Sequence, residues 1–125
     1  VLFTSTIRPE VFAQVREDMR YVISDGTAQF PMNNKVVKLA GKTGTAEVGV
    51  LDRWHSWMVA YGPYDAPAEE AIIVVVMVEA TNPWEWWAPY STNIIFQGIF
   101  ADQTYEEAVD ALGFRYIAGP RGRRE

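Results

Sequence analysis

The run Ala71-Ile72-Ile73-Val74-Val75-Val76-Met77-Val78 constrains this chain more than any other feature. Six of its eight residues are β-branched, which favours a strand. At that length it is far short of the ~20 apolar residues needed to cross a bilayer. Because it does not alternate, both of its faces are expected to be covered, and the sheet that contains it is expected to lie between helices. With 125 residues and 49% hydrophobic content, the chain has the bulk for one small domain or part of one.

The neighbours of this run supply the rest of such a sheet. Trp57, Val59 and Tyr61 alternate with Met58 and Ala60, and the turn-rich stretch from Gly62 to Glu70 joins them to the apolar run. Upstream, Val36 to Val48 is rich in β-branched residues and interrupted by Gly41 and Gly44, as in a strand approached closely by another backbone or a ligand. Three strands in this piece need partners.

Helices flank the strands. Val11, Phe12, Val15, Met19, Val22 and Ile23 fall on one stripe between Arg8 and Ser24, with Pro9 suited to a first turn and Gly26 to the stop. Ile94, Ile95, Ile99 and Phe100 make Tyr90 to Ala101 a second helix, with Pro89 at its start. Thr104 with Glu107 forms a capping box for a short helix ending near Gly113. The stretch from Gly119 to Glu125 has no apolar residue to bury and is expected to be a frayed tail. The order is α+β: an antiparallel sheet covered by helices.

Composition removes several function classes. A formal charge of −5 is the wrong sign for tracking a phosphate backbone, so nucleic acid is not an expected partner. Without cysteine and with one histidine, thiolate chemistry and Cys- or His-rich metal sites are excluded. The N-terminus has no basic-then-apolar signal pattern.

Gly41-Lys42-Thr43-Gly44-Thr45 is the string that carries chemistry. A phosphate-binding loop would need a glycine five residues before Gly41 and a helix straight after the Lys-Thr pair. The chain has Val36 there, and Thr45-Ala46-Glu47-Val48-Gly49 follows. The competing reading is Lys-Thr-Gly on a strand at a cleft edge, as in serine acyl-transferases that react with penicillin. A Lys ammonium there supplies positive potential for an anionic substrate, hydroxyls bond a carboxylate, and glycine admits a close backbone. An outward strand amide suits an oxyanion. For the bare tripeptide, a glycine-containing strand with an exposed lysine is the bland alternative.

The wider context resembles a family. Ala40-Gly41-Lys42-Thr43-Gly44-Thr45-Ala46-Glu47, His55-Ser56-Trp57-Met58-Val59-Ala60-Tyr61-Gly62-Pro63, the apolar strand, and Trp87-Ala88-Pro89 are similar to the C-terminal part of the transpeptidase domain of class B penicillin-binding proteins. So are Met19-Arg20-Tyr21-Val22 and Asp25-Gly26-Thr27-Ala28, and the resemblance runs from about Arg8 to Ala101. The pattern is most similar to the elongation-type enzyme of rod-shape wall synthesis.

The resemblance implies a penicillin-binding transpeptidase or serine β-lactamase-like fold, present as its C-terminal part over residues 1–102, with residues 103–125 forming a short helix and tail. It implies a peptidoglycan D,D-transpeptidase acting through a serine acyl-enzyme and acylated by β-lactams, without a metal or organic cofactor. Lys42 would hold the proton network and the substrate carboxylate, Thr43 and Thr45 would bond that carboxylate, and the Thr45 amide would form half the oxyanion hole. Gly44 would keep the strand open. The implied partners are stem peptides, β-lactams and a membrane glycosyltransferase, at the extracytoplasmic face of the bacterial cell membrane.

The family chemistry also needs a serine followed three residues later by lysine. Ser5, Ser24, Ser56 and Ser91 are followed at that spacing by Arg8, Thr27, Val59 and Ile94, so the acylated serine is expected outside this sequence. The family's Ser-x-Asn precedes Lys-Thr-Gly, so Ser91-Thr92-Asn93 reads as a chance match on a helix. The chain, which begins at Val1 without Met, is therefore expected to be a fragment, inactive without an N-terminal remainder bearing both motifs and the anchor.

Two readings compete with the transpeptidase. A β-lactamase or β-lactam sensor shares the fold, and a non-catalytic interaction module would keep the strands without the nucleophile. Of the remaining residues, His55 beside Trp54 and Trp57 suits packing better than general-base work. Trp84, Trp86 and Trp87 form either an exposed partner surface or a loop packed on the sheet. Glu79 and Glu85 suit solvated positions better than a glycosidase pair.

Overall fold

The computed structural model describes residues 4–49, 53–81 and 87–115. The order of elements is α1 (Pro9–Ser24), β1 (Ala40–Glu47), β2 (Trp54–Gly62), β3 (Ile72–Thr81), α2 (Trp87–Ala101) and α3 (Tyr105–Ala111), with one 3-10 turn, Ala68–Glu70, before β3. The α+β reading and the expected element order hold. Glu85, Trp84, Trp86 and the expected tail lie outside the described residues.

In α1, Pro9 occupies the first turn, where a missing N–H costs nothing. The amides of Asp25 and Gly26 both donate to Tyr21 O and close the helix. Only the C-terminal part of its stripe is used: Val22 and Ile23 enter the core, whereas Val11, Phe12 and Val15 remain exposed.

The three strands form an antiparallel sheet in the order β1-β2-β3. Lys42 stands opposite Val59, and Val59 opposite Val75; Thr43, Met58 and Val76 make the adjacent row. Residues directly opposite in such a ladder share a face. One face therefore carries Met58, Ala60, Val74, Val76 and Val78, which join Ile23, Met32, Leu39, Ala88 and Phe96 in a single core. Phe96, on α2, is fully buried there.

The other face departs from the expectation that both sides of β3 are covered. Ile73, Val75 and Met77 are 72%, 60% and 45% exposed, and Trp57 and Val59 beside them are also exposed. The sequence is apolar on both sides of the strand, but the described residues supply a helical layer to only one of them.

Two boundaries also move. β1 begins at Ala40 rather than Val36, because Asn34 Oδ1 accepts hydrogen bonds from the amides of Val36 and Val37 and holds that stretch in a turn. α2 begins at Trp87, so Pro89 falls inside its first turn instead of at its edge.

α3 has the expected capping box. Thr104 Oγ1 accepts from the Glu107 amide, and Glu107 Oε2 accepts from the Thr104 amide at 2.8 Å. Gly113 follows at φ 72°, the left-handed geometry that suits a helix stop. Glu107 Oε2 also accepts from the Thr104 hydroxyl at 2.8 Å, and the two bonds that the carboxylate accepts, from the Thr104 amide first and its hydroxyl second, hold the Glu107 carboxyl below its ordinary value of 4.5. Since the folded value is depressed, the cap's charge-dependent stabilisation is complete above that ordinary value and is lost as pH falls through the lower folded one. Hydrogen exchange of the α3 amides is expected to lose protection over that acidic interval. Glu107→Gln should flatten the dependence, and Thr104→Ala should lower protection about fivefold at neutral pH, the equivalent of about 1 kcal/mol for a lost cap.

Candidate functional site

Lys42, Thr43, Gly44 and Thr45 lie together on β1, which pairs with β2 along one side and, among the described residues, has a free edge on the other. Glycine is required at the inner end of this string. A Cβ on Gly41 would lie 2.5 Å from Val59 O and 2.8 Å from Met58 Cε, so the strand can press this closely on β2 only without a side chain. At Gly44 a Cβ would stand 3.1 Å from the Trp57 Cβ, a tight contact but a far milder one than at Gly41.

The strand's entry is pinned from three directions. Asn34 fixes the turn at Val36 and Val37. The amide of Tyr64 donates to Lys38 O at 2.7 Å. From α1, Arg20 Nη1 donates to Leu39 O at 2.7 Å. Val37 and Leu39 are buried between these bonds, so Ala40 starts the ladder from a fixed position.

Beyond that point the side chains alternate. Lys42 and Gly44 stand on the face of Val59, Trp57 and Val75; Thr43 and Thr45 stand on the face of Met58 and Ser56. Lys42 is exposed, and its Nζ donates to Thr43 O at 2.8 Å. Thr43 and Gly44 are half-buried and Thr45 is exposed. A ligand that meets Lys42 and both threonines must therefore lie along the free edge, near the plane of the sheet.

The other residues weighed for function lie elsewhere. His55 is half-buried on β2 opposite Ala46, and Glu79 is exposed on β3. Ser91-Thr92-Asn93 lies on α2, as expected, with Thr92 and Asn93 fully buried. Trp87 is half-buried and, with Tyr90, Ile94, Tyr105 and Phe114, lines a cavity of about 290 Å³ between α2 and α3.

Residues 3–101 match the family model of the penicillin binding protein transpeptidase domain. The chain belongs to that family. No curated protein matches it. Among solved structures, it is similar to the D,D-transpeptidase domain of a peptidoglycan glycosyltransferase from Eggerthella lenta, with 22% identity and a TM-score of 0.58. That likeness covers 89% of this chain and 22% of the other, so the chain spans about a fifth of that protein's length. The penicillin-binding transpeptidase fold expected from the sequence is thus the fold observed, in part. The phosphate-loop alternative fails on the same geometry: the Lys42 string lies within β1 and continues as strand to Glu47, where a helix would be required.

What sequence reasoning missed is the framework behind β1. Asn34 meets Asn93 and Gln97 of α2 through their side-chain amides although it lies about 60 residues before them in the chain. No local pattern marks such a pairing.

Proposed function

We propose that this chain is the sheet-side, C-terminal part of a class B, elongation-type penicillin-binding protein, a serine D,D-transpeptidase that cross-links peptidoglycan stem peptides. The observation that carries the reading is Lys42-Thr43-Gly44-Thr45 on a free sheet edge, with Lys42 in one row with the exposed apolar Val59 and Val75. An open apolar face of this kind marks a surface built to be covered. In this reading, the N-terminal remainder covers it with the helix that carries Ser-x-x-Lys, which brings the nucleophile to the side of the sheet that bears Lys42.

The reaction then divides simply. The serine hydroxyl adds to the stem-peptide carbonyl, and its proton passes to the lysine amine of its own motif. The Thr45 amide takes the developing oxyanion, while Lys42 and the Thr43 and Thr45 hydroxyls hold the substrate carboxylate along the free edge. The C–N bond breaks as the departing amine takes the proton held by that lysine; an amine of a second stem peptide then attacks the acyl carbon, the serine O–C bond breaks, and the proton lost by that amine returns to the serine oxygen. A β-lactam enters by the same route and stays. The setting is the extracytoplasmic face of the bacterial membrane, with an anchor outside this chain and a glycosyltransferase of the wall machinery as partner.

The test uses the complete protein, with the residues that precede Val1, and a fluorescent penicillin. A covalent label that persists for many minutes is the expected result. Release within seconds would indicate a β-lactamase, and no label at all would leave the interaction module as the reading.

A further inference from the structure

The motif Ser91-Thr92-Asn93 has no place in the chemistry above, yet its asparagine is fully buried and fully engaged. Asn93 Nδ2 donates to Pro31 O at 3.0 Å and to Asn33 O at 3.2 Å. Its Oδ1 accepts from Asn34 Nδ2 at 2.9 Å. Asn34 Nδ2 also donates to Gln97 Oε1 at 3.1 Å, and Gln97 Nε2 donates to Gln103 Oε1. With its Oδ1 taking the amides of Val36 and Val37, Asn34 uses both of its donors and both acceptor positions.

A buried amide network in which every group is satisfied rigidifies what it touches, and one left half-satisfied is costly. Here it ties α2 to the 31–37 segment that delivers the chain into β1. Arg20 on α1 and the Tyr64 amide hold the next two carbonyls, at Leu39 and Lys38. No side chain of the network touches Lys42 or the threonines by any hydrogen bond of the described residues. Its reach to them is through the backbone from Val37 to Lys42.

We infer that Asn34 and Asn93 are positioning residues for acyl transfer: the amide network they form sets where the Lys42–Thr45 edge stands in the cleft. This rests on the transpeptidase reading of β1. A displacement of the strand by a fraction of its width would misplace the Thr45 amide and the Lys42 ammonium together, while leaving the core of Phe96, Met58 and Ala60 packed.

The experiment follows fluorescent-penicillin acylation of the complete protein and of its Asn34→Ala, Asn93→Ala and Phe96→Leu variants, reading the rate constant and the final labelled fraction separately, with thermal melts of each. For Asn34→Ala and Asn93→Ala the expected result is a near-full labelled fraction reached about tenfold to 100-fold more slowly, the range a small misplacement of catalytic groups produces. Phe96→Leu, a change in the core alone, should lower the melting temperature without changing the rate constant. The proposal is overturned if both asparagine variants label at the parent rate, or lose labelled fraction with an unchanged rate constant, as a purely structural role requires. Failure of both to fold overturns it as well, and if only Asn93→Ala fails, half-buried Asn34 carries the decision. A parent protein that does not label defeats the transpeptidase reading first, which separates the two failures.

Discussion

Replacing Lys42 by alanine is expected to slow penicillin acylation of the complete protein by about 100-fold or more while leaving its fold intact. The structural half of this follows from position: Lys42 lies outside the core that holds Met58, Ala60 and Phe96, and its hydrogen bond to Thr43 O is local. Substitutions away from a packed core and from buried polar networks change stability by about 0.5 kcal/mol or less. The kinetic half follows from charge. In the proposed mechanism this ammonium is aimed at a substrate carboxylate beside a developing oxyanion, in a cleft closed by the rest of the protein, and removing one such donor costs about 100-fold to 1000-fold. A hundredfold loss corresponds to about 2.7 kcal/mol of transition-state stabilisation. Lys42→Arg keeps the charge but replaces a compact ammonium with a wide planar fork, and should recover only part of the rate. Thr45→Ala removes a hydroxyl but keeps the Thr45 backbone N–H, so its loss should be nearer tenfold, the size of one hydrogen bond to a charged group. Stopped-flow labelling with matched thermal melts checks all three; a Lys42→Ala rate within threefold of the parent would remove this residue from the mechanism.

Gly41→Val is expected to do the opposite, destroying the site by destroying the sheet. The first side-chain carbon would lie 2.5 Å from a backbone oxygen, Val59 O, and 3.0 Å from Ala60 Cα. Neither can move without breaking the β1–β2 register, because Gly41 pairs with Ala60 and both are fully packed. The Met58 side chain, the third neighbour, is itself fully buried. Overpacking of a tight core costs about 1–3 kcal/mol where side chains can adjust, and a clash with backbone exceeds that. Gly41→Val should therefore leave little folded protein, seen as loss of the cooperative melt. Gly44→Ala is a useful contrast: its nearest neighbour, the Trp57 Cβ at 3.1 Å, moves only with its backbone but needs to give far less than the 2.5 Å clash at Gly41 demands, so that variant should fold with a small loss of stability.

These two expectations fall on adjacent residues, and they show which information the sequence carries. Period and punctuation were readable: the α1 stripe, the capping box at Thr104, and three strands in order all follow from spacing of apolar residues and from Pro and Gly. So was the string at Lys42, because no phosphate loop has a valine and a strand in those places. Burial was not readable from one piece. The run from Ile72 to Val78 is apolar on both sides, and the sequence has no way to tell a covered face from one awaiting cover; only the exposure of Ile73, Val75 and Met77 does that. Long-range polar pairing was equally hidden. Asn93 looked like a stray half of a motif because its partners, Asn34 and the carbonyls of Pro31 and Asn33, lie some 60 residues earlier. The start of β1 was misplaced for the same reason, since the Asn34 turn that delays it is held from α2.

That β1 forms one wall of an acyl-transfer cleft completed from outside this chain is tested most directly by finding where penicillin attaches. The complete protein, acylated and digested, is expected to carry the whole adduct on a single serine that lies before Val1 and is followed three residues later by lysine. An adduct on Ser5, Ser24, Ser56 or Ser91, or none under conditions that label a known transpeptidase, would contradict it.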